Sequence, residues 1–419
     1  MEELNITSYL KKLKYLFSNS KNLLEITYIL GNNTCDLDSA ISSYLLSIGL
    51  NLKEKTIESL NEHKFKLNLD SKKLYLPVLN INRGTFKYRI DVKYVFDKFG
   101  IDENDFFYIS DDYLAKEKLF QYPNNNIIKS NIILVDHNLL IDKQKYLSNY
   151  IIGVYDHHII TNYNNNYPNL QSINIQIPIG SCSTIILNNF FMEEFPINLV
   201  SPIFAITANL IDSRNFAKNY YGNRWVDLDK KVFNKIKSQI KEEFNTDEYY
   251  KEISGIKHDV EKNLMFGLEP LLNKVQKYYN FNGIKFIWSA FYISFYDIRN
   301  KIGDNEIIDK ILEYYKDLND NDIKKIFFVT NSPVGLNKEL YTIFNPIEIP
   351  KEFDEFKNEV EKKNKNYFFS FDKKIYKDDK KGIIKGIMYY FVIDCFYTRK
   401  QVEPIFQKIC SNLNINEKI

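Results

Sequence analysis

Four short strings concentrate the groups able to bind ions or move protons: GNNTCDLDS (31–39), VDHN (135–138), YDHH (155–158) and LIDSRNF (210–216). They carry Asn32, Asp36 and Asp38; Asp136 and His137; Asp156, His157 and His158; and Asp212. Each string alone has a plainer reading. An Asp after a strand is often a helix N-cap or turn former, and a lone His there is commonly a satisfied structural residue. Together they weigh differently, because that many acidic groups at one place repel one another unless a cation sits among them. Carboxylates with one or two imidazoles and no thiolate pair suit Mn²⁺ or Mg²⁺ better than a structural zinc. Such a set can hold two divalent ions close together and activate a shared water near neutral pH.

That chemistry requires the strings to converge, and the flanking segments supply the means. LLEITYIL (23–30), NIILVDHN (131–138) and NYIIGVYDHH (149–158) are apolar runs of strand length that end in the polar strings. DSAISSYLLSIGLNL (38–52), SCSTIILNNFF (181–191) and SPIFAITANLIDSRNF (201–216) read as helices, the first with Asp38 or Ser39 near its N-cap. Strands alternating with helices predict an α/β fold with a doubly wound, mainly parallel sheet. Ligands of such sheets bind beyond the carboxyl ends of the strands, where all four strings fall. The stretch 217–245 turns polar and helical and reads as a connector. Beyond it IKFIWSAFYISF, KKIFFVTNS and GIIKGIMYYFVIDCFY are strand-like. The expected organisation is a domain over 1–230 carrying the acidic strings, then a connector and a smaller α/β domain with a mixed sheet over 231–419, with the active site in the cleft between them.

Composition narrows the partners. The formal net charge is +2, which argues against the global basic field of a nucleic-acid-binding protein. Lys is the default cation and Arg is scarce, so Arg83, Arg89, Arg214, Arg224, Arg299 and Arg399 each read as placed for geometry. Four cysteines without a CxxC spacing fit a reducing compartment rather than a disulfide framework. The opening MEELNITSYLKKLKYLF is charged throughout, unlike a signal peptide, and no segment approaches a membrane span. A cytoplasmic protein without a membrane partner is expected.

The ordered set GNNTCDLDS, LVDHN, VYDHH and LIDSRNF resembles the four motifs of the DHH phosphoesterase superfamily. Two details resemble its eukaryotic-type exopolyphosphatase and prune branch. Asn32 stands where family II inorganic pyrophosphatases usually carry His, and VLNINRGTFKYRIDVKYVF (78–96) is similar to a branch segment with Arg83, Phe86 and Arg89 in place. Tyr88 and Asp91 depart from that segment's usual Leu and Glu. GSCST (180–184) resembles the family's Gly-Ser-Cys motif before a helix. LLNKVQKYY (271–279) and TRKQVEP (398–404) resemble strings of its C-terminal DHH-associated domain, with Val275 replacing an acidic residue.

The resemblance implies that Asp36, Asp38, Asp136, His157 and Asp212 hold two divalent ions, Mn²⁺ or Mg²⁺, with Asp136 bridging them and Asn32 at a weakened ligand position. It implies that His158 touches the attacked phosphate or protonates the leaving oxygen, with Asp156 orienting it. Lys277, Arg399 and Lys400 would contact phosphate, and His137 would either contact phosphate or support Asp136. Arg83 and Arg89 fall in the long stretch between the first and second motifs, which as a hypothesis helps line a basic channel for the rest of the chain. The implied activity is exopolyphosphatase, releasing orthophosphate from the end of inorganic polyphosphate, with nucleoside polyphosphates as further candidates and no nucleic acid. The alternatives are a prune-like phosphodiesterase or short-chain polyphosphatase, an inorganic pyrophosphatase, and, more distantly, a non-enzymatic binding protein. The intact His157–His158 pair favours the first, since prune-like proteins usually have Arg at the second position.

Overall fold

The computed structural model describes residues 5, 7–19, 22–61, 64–111, 114–116, 120, 128–159, 167–274, 276–281, 284–317, 326–331, 337–344, 368–377 and 384–394. The chain divides into two compact units, Met1–Ile256 and Lys257–Ile419.

In the first unit the elements run α1 (Tyr9–Asn19), β1 (Glu25–Leu30), α2 (Leu37–Lys53), β2 (Ile57–Asn61), β3 (Lys64–Leu67), β4 (Lys73–Leu79), α3 (Ile90–Lys98) and β5 (Phe107–Tyr108). They continue with β6 (Lys129–Val135), β7 (Ile151–Asp156), β8 (Ser172–Ile175), α4 (Cys182–Phe190), α5 (Pro202–Asp212), α6 (Asp227–Lys237) and α7 (Thr246–Lys257). The main sheet has six strands in the order β5-β4-β1-β6-β7-β8, every neighbouring pair parallel. β2 and β3 form a separate antiparallel ribbon. The α/β class and the parallel sheet agree with the sequence reading. From β1 the chain builds outward to β4 and β5, then returns to the other side of β1 as β6. The switch point therefore lies between β1 and β6, the place where a doubly wound sheet opens a ligand crevice.

Helix α2 is the hub. Its apolar residues point inward nearly all round, which is the pattern of a buried helix. It packs on β1, β4, α4 and α5. Small side chains allow the close fit, and their hydroxyls are satisfied. Ser47 donates to the Tyr75 carbonyl at 2.8 Å, and Asn51 takes both backbone groups of Tyr75, at 2.8 and 3.1 Å. The helix starts one residue earlier than its sequence suggests, because the N-cap is Asp36. Asp36 has extended backbone and accepts the Ser39 N–H at 3.1 Å. Such a cap is worth about 1 kcal/mol.

The units divide between Ile256 and Lys257, whereas the sequence boundary falls at residue 230. Helix α6 lies in the first unit and packs on α4 and α5 through Val232, Phe233 and Ile236. The second unit contains α8 (Val260–Leu264), α9 (Leu268–Lys274), β9 (Gln276–Phe281), β10 (Ile284–Phe291), α10 (Phe295–Ile302), α11 (Asp304–Asp317), β11 (Ile326–Asn331), β12 (Asn337–Phe344), β13 (Phe368–Lys377) and β14 (Ile384–Asp394). Its sheet runs β13-β14-β12-β11-β10-β9, mixed as expected: β10 and β11 are parallel and the other pairs antiparallel. Among the described residues no helix is long and apolar enough to cross a membrane.

Candidate metal and phosphate site

The carboxyl ends of β1, β6 and β7 stand side by side. Leu30 pairs with Leu134, and Val135 pairs with Tyr155. The next residues of each strand lead directly into the three polar strings, so convergence follows from the parallel register. Gly31 opens the first string where Ser39 crosses it: a Cβ there would lie 2.3 Å from Ser39 Oγ, which instead accepts the Asn32 N–H at 2.7 Å. Cys35 and Asp136 both adopt left-handed backbone, with φ of 48° and 61°. That conformation costs a non-glycine residue roughly 1–2 kcal/mol, and such cost is commonly met at functional sites.

Asp136 is the centre. It is 3 % exposed, and burial together with Asp38, Asp36, Asp156 and Asp212 pushes its carboxyl well above the usual carboxylate range. His157 Nε2 lies 3.3 Å from Asp136 Oδ1 and 3.8 Å from Asp38 Oδ2. His157 Nδ1 is 2.9 Å from the Ile179 carbonyl. A carbonyl only accepts, so Nδ1 carries a proton and the ring turns its Nε2 toward two carboxylate oxygens. With Nε2 unprotonated, the three atoms form an acceptor set of the kind that binds a cation. Ligand atoms about 2.0–2.2 Å from one ion stand about 3 Å or more apart, so the spacing accommodates one. Asp136, His157 and His158 also offer ligand atoms all within 4.8 Å of one another. The donor set is carboxylate and imidazole, and the nearby thiols do not join it. Burial pushes the Cys35 thiol up to about 12 and raises Cys182 well above its usual range. The residues fit a hard divalent ion.

The remaining expected residues divide into those gathered here and those placed elsewhere. Asp36 caps α2 and accepts Thr34 Oγ1 at 3.2 Å. Asp212 ends α5 and adds to the field at Asp136. Asp38, 4 % exposed, is gripped by the start of α4: Ser181 Oγ at 2.7 Å, Cys182 N–H at 2.7 Å and Ser183 N–H at 2.9 Å. The helix N-terminus favours that charge and fixes its Oδ2 toward His157. Asp156, fully buried, accepts the His157 N–H and His158 Nδ1–H on one oxygen, each at 2.8 Å, and Asn138 Nδ2 on the other at 2.7 Å. Burial pushes its carboxyl up, but the His158 hydrogen bond and the charges of His158, His157 and His137 more than offset this and hold it below the ordinary range. The side chain of His158 is 30 % exposed against 12 % for His157, so His158 is the imidazole open to an incoming group. His137 turns Nδ1 to the Val135 carbonyl at 2.9 Å.

Asn32 behaves differently from a weak ligand. Its Oδ1 accepts Thr34 N–H at 2.9 Å, Thr34 Oγ1 at 2.6 Å and Cys35 N–H at 3.0 Å, which identifies that atom as the oxygen. Its Nδ2 donates to Asp136 Oδ2 at 2.6 Å. The amide therefore steadies Asp136 and turns its only metal-binding atom into the loop. Asn32→Asp would keep the accepting side and place a carboxylate oxygen against Asp136. Melting in chelator and in Mn²⁺ should show a lower metal-free Tm, by roughly 1–3 kcal/mol of stability, and a wider gap between the two curves. Identical curves for variant and wild type would exclude the contact.

Arg83 and Arg89 are engaged within the protein. Arg83 pairs with Asp111 at 2.9 Å, donates to the Phe106 carbonyl at 3.2 Å and lies over the Tyr108 ring at 4.2 Å. Arg89 is 5 % exposed and donates Nε–H to the Thr34 carbonyl at 2.6 Å, bracing the first string from behind. Lys277 lies in β9 opposite Trp288, and Arg399 and Lys400 fall outside the described residues. Arg224, without an assigned role, lies in the field of the acidic group: burial and the adjacent Arg214 lower its guanidinium pKa, with Asp212 opposing. The reading also passed over Asn138 and Asp229. The D-H-N order of the second string was a signal for Asn138.

No family model matches the sequence. The chain is 24 % identical over 275 residues to a Schizosaccharomyces pombe protein assigned as an exopolyphosphatase, covering 62 % of this chain and 61 % of that protein. It is 28 % identical over 158 residues to the human exopolyphosphatase PRUNE1, covering 38 % of this chain and 29 % of that one. The chain thus spans less than two thirds of either relative. Among solved structures it is similar to a Methanococcus jannaschii protein assigned as a family II inorganic pyrophosphatase, with a TM-score of 0.56, 18 % identity, and coverage of 92 % of this chain and 100 % of that one. The exopolyphosphatase resemblance read from the motifs thus recurs in the names of both relatives, and the fold agrees with that of the structural neighbour.

Proposed function

We propose that the chain is a divalent-metal-dependent phosphoanhydride hydrolase that removes orthophosphate from the end of inorganic polyphosphate. The observation that carries the reading is His157 Nε2 held between the Asp136 and Asp38 carboxylates at a parallel-sheet switch point. Asp36, Asp38, Asp136, His157 and Asp212 would hold two ions, Mn²⁺ or Mg²⁺. Ions bound there would supply positive charge to the phosphoryl oxygens and lower the pKa of a water. The water oxygen bonds to the terminal phosphorus, the bridging P–O bond breaks, and the shortened chain leaves with its oxygen protonated by His158. Asp156, fixed by Asn138, keeps the His158 ring oriented and favours its charged form. By motif resemblance Lys277, Arg399 and Lys400 are the cations that meet phosphate. Polyphosphate is preferred over pyrophosphate because both curated relatives are named exopolyphosphatases and Asn32 replaces the pyrophosphatase His.

The test is phosphate release in Mn²⁺ or Mg²⁺ from long-chain polyphosphate, tripolyphosphate, pyrophosphate and cyclic AMP. Rapid release from the polymers with little from pyrophosphate is expected. Preference for pyrophosphate or cyclic AMP would assign a sister activity, and bound metal without any turnover would leave a binding protein.

A further inference from the structure

Asp229 has no place in the chemistry above, yet it is a fully buried carboxylate in the first turn of α6. It accepts the Gly180 N–H on both oxygens, at 3.1 and 3.0 Å, Thr184 Oγ1 at 2.6 Å and the Val226 N–H at 2.9 Å. Asn209 of α5 completes the group by donating to Thr184 Oγ1 at 2.5 Å. One carboxylate thus ties together the loop before α4 and the starts of α4 and α6, with α5 joined through Asn209. A buried charge satisfied by this many donors is costly to disturb.

What it anchors is the segment 179–183, which touches both halves of the candidate ion site. Ile179 offers its carbonyl to His157 Nδ1, and so aims Nε2. Ser181, Cys182 and Ser183 grip Asp38. Gly180, between the two contacts, is held by Asp229 from outside. It is also pressed against the backbone of Arg224, where a Cβ would come within 2.2 Å of the carbonyl oxygen.

From this geometry we infer that Asp229 is a positioning residue that sets the His157–Asp38 spacing through segment 179–183 and thereby tunes affinity for the divalent ion. The inference rests on the ion-binding reading above. Outer partners that orient ligands typically alter metal affinity 10- to 100-fold when removed, or about that order.

The experiment measures Mn²⁺ affinity of the full chain, by titration of free Mn²⁺, for wild type, Asp229→Asn and Gly180→Ala. Thermal melting without metal checks the fold, and Leu13→Ala, a destabilising change in α1, sets the baseline for loss of stability alone. Asp229→Asn sets an amide N–H₂ against backbone donors. Gly180→Ala drives the same segment off Arg224 while leaving Asp229 intact. Both should weaken Mn²⁺ binding by about 10- to 100-fold, with Leu13→Ala unchanged. If Asp229→Asn does not fold, Gly180→Ala alone decides. Wild-type affinity in a folded Asp229→Asn or in Gly180→Ala would overturn the inference. A wild-type chain that takes up no Mn²⁺ would overturn the ion-binding reading and the inference with it, a different and separately visible result.

Discussion

Asp136→Asn is expected to abolish phosphate release and, in metal-free solution, to make the protein more stable. The two effects have one cause. Asp136 is crowded by Asp38, Asp36, Asp156 and Asp212 in a buried place, a condition that an ion relieves and its removal exposes. Its folded pKa is raised above the unfolded value of about 3.9. Between those two values the folded state holds more protons than the unfolded one, so stability falls as pH rises through the window and levels off above the folded pKa. The neighbouring acids share this titration, so the window belongs to the group rather than to Asp136 alone. An uncharged amide removes much of the repulsion. It can still accept from Asn32 Nδ2 while its other amide atom faces His157 Nε2. In chelator the wild-type Tm should fall as pH rises above the ordinary carboxylate range, while the variant should melt higher with a flatter profile. Adding Mn²⁺ should raise the wild type far more than the variant. Turnover should drop by on the order of 10³-fold or more, the scale of losing a group that acts as part of a unit. A variant that melts below wild type in chelator, or keeps its activity, would contradict a cation-holding role for Asp136.

The parts legible from sequence are those with short-range signals. Apolar runs ending in acids marked β1, β6 and β7, and a parallel sheet then puts their ends together whatever the details of packing. Helix α2 was visible from its composition, but its true cap was not. Asp36 and Asp38 are both good cap residues, and only the Ser39 N–H direction separates them. The direction in which an amide points is likewise invisible in a string. Asn32 looks like a ligand until two backbone N–H groups claim its oxygen. Scarcity of Arg pointed to geometric roles for Arg83 and Arg89, but not to which geometry. Asp111, Tyr108 and the Thr34 carbonyl meet them because α3 and β5 fold back on the first string. Asp229 had no signal at all. It reads as an ordinary first-turn acid of an amphipathic helix, and its contacts with Gly180 and Thr184 span a long sequence separation.

Asp156→Asn should separate proton transfer from ion binding. Asp156 spends one oxygen on the His157 N–H and His158 Nδ1, and its second oxygen is held by Asn138. The substituted amide can keep the His157 and His158 bonds on its oxygen if Asn138 turns to accept, so the fold should persist. What disappears is the charge that favours imidazolium. The pKa of His158 should drop, and with it the pH above which the leaving oxygen goes unprotonated. The alkaline limb of the kcat profile should move to lower pH, with kcat at neutral pH reduced by on the order of 10²–10⁴-fold. Mn²⁺ affinity should stay within about tenfold, the low end for an outer partner, since the amide oxygen still accepts the His157 N–H and the Ile179 carbonyl still aims the His157 ring. Stability supplies a second reading of the same interaction. Because the folded pKa of Asp156 is depressed, its contribution is present above the unfolded value of about 3.9 and is lost as pH falls through the folded one. The stability difference between wild type and variant should therefore be full at neutral pH and shrink below pH 4. An unmoved alkaline limb would assign the proton to another group, and a collapse of Mn²⁺ binding would make Asp156 a support of the ion site instead. A shifted limb with metal retained would make Asp156–His158 the proton-delivering pair, standing beside the ions rather than part of their cage.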